Sequence, residues 1–450
     1  MNKSFFKELL QDVPEHNRFL KVSEIDELTE KIEKAPECEK VEIGLTIEKE
    51  PINMYAMGEG KKTAMLIGVP HSDEPLGSLV TTYFMQWMIR HPEANFFEWK
   101  WLFIPILERR GMRLNEGWFS HLDSLVQMAK SLFREPTEEQ YEWTFPFKSD
   151  GYQWTYARPE TNAIKRVLIS EKPDLLCGLH HSGFYDTYFY FSRDLPEAYP
   201  KLRKLATELG LPISQNSADV PFAKELSSGF YQMYGVKDYI EYYRQKEPER
   251  LLTLRRGASS DEWFEKTVGG FSFNCEVPLI KSSFKKTNEC SDRNLLTFLE
   301  KKKQTTQSTF QFCENHLFQM EPYFPFANPL VLNSVLKQYA TEKVAIEHIR
   351  KQKIKVHDRK ATFLEIFENE IMFNITNLNL LGQIWRVTEQ IYIKTNDPKI
   401  YYLLNKIDQK ISQINTELLS QGSFNPIPIN SLIKMQIGTT LIIKDLLDQD

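Results

Sequence analysis

A histidine and a carboxylate stand three residues apart in His71-Ser72-Asp73-Glu74, directly after the apolar run Met65-Leu66-Ile67-Gly68-Val69-Pro70. That run reads as a buried strand bounded by a turn. Both side chains are therefore expected at a strand end, where they can face one metal ion. A second apolar run, Pro173 to Leu179, leads into His180 and His181. Open α/β sheets place their sites at such C-terminal strand edges. His180 continues the strand directly and is the preferred third ligand; a shift of one residue in register presents His181 instead. Three protein ligands and one open position for water are what a hydrolytic zinc site requires. A further segment, Gly270 to Pro278, alternates like a strand and carries one carboxylate, Glu276, among apolar neighbours. Burial there is expected to raise its pKa towards neutrality, as a base that deprotonates water near pH 7 requires.

The elements that must position these groups follow from pattern. With 450 residues, 41% hydrophobic and 26% charged, the chain is long enough for a large core and a second region. Strand candidates run over Lys40 to Thr46, Ile52 to Met57, Ala64 to Val69 and Trp101 to Ile106. Helices are expected over Leu79 to Arg90 and over Pro159 to Ser170, with Pro159 in the first turn. Strands and helices alternate to about residue 280, which predicts an α/β fold: a mixed β-sheet flanked by helices. Residues 1–36 read as a helical segment, and the catalytic region is expected over 37–295. Beyond it, glycines are few, and Leu380, Ile384, Val387 and Ile391 recur at helical spacing, so 296–450 is expected to be all-helical. This tail either forms a homo-oligomer interface or leans over the cleft.

Other classes are excluded by composition. The net charge is −5, with basic and acidic residues mixed, so a nucleic-acid surface is not expected. The charged N-terminus lacks the apolar core of a signal peptide, and no stretch approaches the roughly 18 apolar residues of a membrane span. A soluble, cytoplasmic protein without a membrane partner is expected. The cysteines, Cys38, Cys177, Cys275, Cys290 and Cys313, are odd in number and form no C-x-x-C pair, so free thiols are expected.

The order of the parts resembles the zinc carboxypeptidase family: H-x-x-E after a strand, a strand ending in His, then a strand bearing Glu. Arg158-Pro159-Glu160-Thr161-Asn162-Ala163, Lys172-Pro173-Asp174-Leu175 and Leu179-His180 look like that family's P-E-T-x-A, K-P-D-L and L-H segments. The similarity covers roughly residues 40 to 285. It also extends to a divergent branch with M-R-L-N-E-G-W-F, here Met112 to Phe119, and E-W-T-F-P, here Glu142 to Pro146. The resemblance implies a carboxypeptidase-like fold and one zinc ion held by His71, Glu74 and His180. It implies Glu276 as general base and a cation that stabilises the oxyanion, for which Arg113 is the first candidate and Arg109 and Arg110 stand behind it.

Departures from the family pattern bear on substrate. Asp73 stands where the family often has Arg. The N-P-D-G turn appears as Glu108-Arg109-Arg110-Gly111, keeping only the glycine. The Asn-Arg pair that grips a substrate carboxylate aligns with Asn115-Glu116. A carboxylate about 4 Å from Glu116 would be opposed by roughly 4 kcal/mol at an effective dielectric near 20. With Asp73, Arg109, Asn115 and Glu116 around the substrate, an amine or neutral amide is expected to be favoured over a free acid. The expected function is a zinc-dependent peptidase or amidase acting on a small peptide-like molecule. Alternatives are a deacylase of a small metabolite and an inactive relative that only binds.

Overall fold

The computed structural model describes residues 3–149, 151–215, 220–351 and 359–449; Met1 and Asn2 of the charged N-terminus lie outside them. The strands, in chain order, are β1 (Cys38–Leu45), β2 (Pro51–Met57), β3 (Lys62–Ile67), β4 (Trp99–Ile104), β5 (Phe147–Ser149), β6 (Tyr152–Trp154), β7 (Leu175–Gly178), β8 (His181–Gly183), β9 (Tyr188–Phe191), β10 (Glu225–Ser227), β11 (Phe230–Gln232) and β12 (Phe271–Pro278). Among the described residues, ten of these form one sheet in the order β1-β2-β4-β3-β7-β12-β9-β11-β10, with β8 also on β12. The centre, β4-β3-β7-β12, is parallel. β1-β2, β2-β4, β12-β9 and β10-β11 are antiparallel. The expected α/β class with a mixed sheet is what the structure shows.

The centre is parallel because its strands are apolar on both faces and so need cover on both. Alternate residues feed two cores. Ala64 and Leu66 join Trp101, Phe103, Leu175, Cys177 and Phe273 on one side. Met65 and Ile67 join Leu102, Ile104 and Leu176 on the other. The first side is covered by the helices Leu76–Arg90, Ala198–Glu208 and Ile429–Leu447, the second by Pro159–Glu171 and Ser260–Thr267. The expected strand ends at Val69 and Ile106 fall instead at Ile67 and Ile104. Val69 takes a left-handed φ of 52°, which no strand tolerates.

The expected boundaries at residues 36 and 295 do not divide the cores. Leu9, Val22 and Ile25 near the N-terminus and Leu432, Ile433 and Leu441 near the C-terminus share the core of the sheet. The helix Ile429–Leu447 is apolar almost all round and buried along most of its length, so it behaves as an element of the α/β body. Two small strand pairs also cross the boundary: Ile280–Ser282 with Phe424–Pro426, and Cys290–Asn294 with Lys360–Thr362. Between them the tail is helical as expected. The helices Leu295–Met320, Pro329–Lys351, Phe373–Thr395 and Pro398–Gln421 build a separate core in which Leu380, Ile384, Val387 and Ile391 are buried. This core includes Leu125, Ala129 and Phe133, so the helical arm docks on the α/β body beside the site. All five cysteines are free, with Cys177 and Cys275 buried in their strands. No described helix is long and apolar enough to cross a membrane.

His316 is buried in the arm with Nε2 at 3.1 Å from the Thr388 hydroxyl. Burial lowers its pKa from 6.5 to about 4. The unfolded chain therefore binds a proton between these values that the folded chain refuses. Stability is full above pH 6.5 and falls as pH drops towards 4, by up to about 3 kcal/mol. Urea melts at pH 7 and pH 4.5 should show this loss, and His316→Gln should reduce it. An unchanged pH dependence in the variant would contradict the assignment.

Candidate metal centre and its cavity

Two adjacent parallel strands deliver the cluster. After β3 the chain turns through Gly68 and Val69, tied down by Gly68 N–H to Ile104 O (2.7 Å) and by Glu108 N–H to Val69 O (3.3 Å). A β-branched residue held left-handed is strained, and such strain persists only where its surroundings enforce it. The turn brings His71 and Glu74 to the sheet edge, with Glu74 N–H donating to His71 O at 3.0 Å. β7 ends alongside, where Leu179 N–H donates to Ile67 O at 3.0 Å, and His180 follows. Gly178 is needed there: a Cβ on it would stand 2.6 Å from His180 Nε2.

Ligand atoms of His71, Glu74 and His180 lie within 4.8 Å of one another, and all three residues are buried. His180 Nδ1 is 2.8 Å from Glu74 Oε2. Both imidazoles direct Nε2 at one further carboxylate, Glu142: His71 Nε2 at 2.7 Å from Oε2 and His180 Nε2 at 3.2 Å from Oε1. At His71 the carboxylate facing Nε2 favours the proton there and leaves Nδ1 turned inward. His71 Nδ1 is indeed buried without a hydrogen-bond partner, as a ligand atom awaiting a cation would be. His181 takes another path, with Nε2 2.8 Å from Asp73 O. The electrostatics agree in sign. Burial alone would raise the Glu74 carboxyl, but His71 and His180 outweigh it and lower its pKa to about 2. Glu142 is likewise buried and held well below the carboxylate range by the same two histidines. Burial opposes charge on His180, yet Glu142 and Glu74 push its pKa far above 6.5. Two histidines and a carboxylate, with a second carboxylate behind them, suit a divalent cation such as zinc.

Glu142 sits in a short 3₁₀ turn, Tyr141–Trp143, and neighbouring segments hold that turn. Thr161 Oγ1 donates to Tyr141 O at 2.8 Å. Tyr141 N–H donates to Glu108 Oε1 at 3.1 Å. Arg158 bridges Glu108 (2.8 Å) and Glu160 (2.9 Å), all three buried. Burial pushes the Glu108 carboxyl up to about 8 against the attraction of Arg158. The Arg158-Pro159-Glu160-Thr161 segment thus anchors the carboxylate that orients the histidines.

The cluster opens into a cavity of about 470 Å³. On β12, Phe273, Cys275 and Val277 face the core, so Asn274 and Glu276 face the cavity, opposite Tyr190 and Tyr188 of β9. Asp261, at the start of a helix capped by Ser259, also lines it. Burial first, then Glu142, pushes the Asp261 carboxyl up to about 6. Asp73 lines the wall and pairs with Arg134 at 3.2 Å, and Arg134 lies 3.4 Å from Glu74. Tyr234 and Tyr239 reach the cavity. So do Ile375, Leu378 and Asn379 of the helical arm.

Five expected site residues lie elsewhere. Arg113 is half-exposed and forms a double hydrogen bond to Glu50, at 2.6 and 2.7 Å. Arg109 pairs with Asp26 (2.7 Å) and Glu50 (3.1 Å), and Arg110 with Glu48. Glu116 accepts the Val22 N–H at 3.0 Å and so serves the N-terminus of the helix Val22–Ile32. Asn115 is fully buried, donating to Ser72 O (2.9 Å) and Phe133 O (2.7 Å) and accepting from Phe133 N–H (2.9 Å). The reason is rotational. The segment forms a helix, Arg109–Asn115, whose Gly111, Met112 and Asn115 face inward while Arg109 and Arg113, four apart, face the β1-β2 hairpin. The glycine kept from the family turn is explained: a Cβ on Gly111 would stand 2.2 Å from Ser72 Cβ. Glu116 therefore does not stand where it could repel a substrate carboxylate.

Arg134, Glu142, Asp261 and Arg256 line the cavity and were not singled out by the sequence. Glu142 lay within the Glu142 to Pro146 motif. Gln436 is a further omission: its buried amide donates to His180 O (2.7 Å) and Cys275 O (2.8 Å). It ties the third ligand to the strand that carries Glu276.

Arg158→Met would leave the Glu160 carboxylate buried without its cation, a loss of about 3–5 kcal/mol. Urea melts of the variant measure this; a loss under about 1 kcal/mol, within the range of an exposed pair, would contradict the buried network.

Comparison with protein-family models and with curated proteins gives no match. Among solved structures the fold is similar to a Shewanella amazonensis protein provisionally described as a metallopeptidase, at 11% identity and a TM-score of 0.40, over 57% of this chain and 84% of that one. It is also similar to bovine thrombin-activatable fibrinolysis inhibitor, solved with tick carboxypeptidase inhibitor, at 14% identity and a TM-score of 0.35, over 57% and 86%. A metallo-carboxypeptidase from Burkholderia cenocepacia matches at 14% identity and a TM-score of 0.35, over 57% and 60%.

Proposed function

We propose that the chain is a zinc-dependent hydrolase of an amide bond in a small peptide-like substrate. The observation that carries this reading is the inward-facing set of His71, Glu74 and His180, with both Nε2 atoms turned to Glu142. Zinc, when bound there, supplies Lewis-acid polarisation of the scissile carbonyl. Glu276 holds the attacking water, takes its proton and returns it to the leaving amine. Arg134 is the cavity arginine beside the cluster and takes the oxyanion-stabilising role expected of Arg113. The arm residues Ile375, Leu378 and Asn379 limit the length of substrate and exclude water. A cavity of about 470 Å³ suits a small ligand. That size favours peptides of a few residues and acylated metabolites alike.

Asp261 is the rival for the base. Hydrolysis of a panel of dipeptides and N-acyl amino acids by zinc-loaded enzyme separates the two. Glu276→Gln should lower turnover by about 10²–10⁴-fold while metal content stays unchanged, and Asp261→Asn should cost less. Full turnover in Glu276→Gln, or the larger loss in Asp261→Asn, would overturn the assignment.

A further inference from the structure

A second cavity, of about 740 Å³, adjoins the first and lies between the α/β body and the helical arm. The two share Asp73, Arg134, Thr137, Gln140, Arg256 and Asn379 as wall residues. None of the cluster ligands lines the second cavity.

The cations of this chamber divide sharply. Arg134 pairs with Asp73 (3.2 Å), Arg250 with Glu247 (3.1 Å) and Lys337 with Glu138 (2.5 Å). Of the remaining acids on its wall, Glu135 is hydrogen-bonded to Ser72 at 2.5 Å, and burial pushes the carboxyls of Glu135 and Glu342 up, towards the neutral form. Arg255 and Arg256 have no carboxylate partner among the described residues. Arg255 donates only to Leu252 O and Leu254 O. Arg256 lies over the Trp143 ring at 4.5 Å and the Tyr239 ring at 4.1 Å. Its backbone is anchored by the Tyr152 hydroxyl, which donates to Arg256 O at 2.6 Å and accepts from Arg256 N–H at 3.2 Å. Aromatic faces fix the plane of a guanidinium without consuming its N–H edge. A guanidinium so held is preorganised for two-point binding of a planar oxyanion.

We propose that the substrate carries an anionic group, a carboxylate or a phosphate, on the part that reaches past the metal cluster, and that Arg256, aided by Arg255, binds it at the junction of the two cavities. The proposal rests on the hydrolase reading only in calling this ligand a substrate. It reverses the preference expected from Glu116, because Glu116 does not line the cavity and Arg256 does.

Calorimetric titration on zinc-loaded protein in the Glu276→Gln background tests it without turnover. Matched probes are N-acetylglycine against N-acetylglycinamide, and N-acetylphosphoserine amide against N-acetylserine amide. The acidic member of at least one pair should bind about tenfold or more tightly than its neutral partner, and the stronger pair identifies carboxylate or phosphate. Arg256→Met should abolish the difference, Arg256→Lys should keep part of it, and the exposed Arg255→Gln should reduce it. Equal binding of acidic and neutral members in both pairs, or a preference that survives Arg256→Met, overturns the proposal. Either outcome leaves the turnover comparison of Glu276 and Asp261 untouched, so the two readings fail separately.

Discussion

One carboxylate, Glu142, constrains the centre of this protein. It meets both imidazole Nε2 atoms, one on each oxygen. That contact favours the His71 proton on Nε2, while His180 spans Glu142 and Glu74 with its two nitrogens. A buried carboxylate of this kind is costly unless its partners are fixed, and the surrounding structure fixes them. Thr161 and Glu108 hold the turn that carries Glu142, Arg158 neutralises the acids behind it, and Asn115 clamps the loop that carries His71. The sheet supplies the reference frame: β3 and β7 run parallel with a shared register, so their two ends arrive together.

The walls of the cavity come from further away in the chain than its floor. The floor is sheet, with Glu276 and Asn274 on the cavity face of β12. The far wall is the helical arm, whose Arg386 donates to Leu114 O (2.8 Å) and Ser131 O (3.0 Å) and whose Trp385 ring packs under Lys130 at 3.9 Å. Such contacts make the arm a structural cover for the site. The C-terminal helix joins the opposite side of the sheet and reaches the centre through Gln436. Chain segments on both flanks of the α/β body are therefore coupled to the geometry of His180 and of the strand that carries Glu276.

How much of this could be read in the sequence depended on the kind of signal. His71, Glu74, His180 and Glu276 were legible because apolar runs mark buried strands, and strand ends mark where side chains emerge. The helical arm was legible from its spacing of Leu380, Ile384, Val387 and Ile391. Arg113, Arg109, Asn115 and Glu116 were misplaced because sequence shows that a segment exists but not how its helix is rotated. Glu142, Arg134 and Arg256 stand in short turns and loops, which have no periodicity to orient a side chain. Gln436 lies in an apolar helix whose place on the sheet, rather than in the arm, is set by packing at a distance in sequence of more than 150 residues from Cys275. The charged lining of the cavity followed the same limit: Glu116 was counted inside it, and Arg256 was not.

The central claim is that Glu142 prepares two histidines to hold a metal with Glu74. Zinc affinity, measured by competition with a chromogenic chelator, tests it most directly. The account predicts one zinc per chain, no measurable binding in His71→Ala, and affinity weakened by about 10–100-fold in Glu142→Gln. Absence of zinc binding by the unaltered protein, or an unchanged affinity in Glu142→Gln, would contradict it.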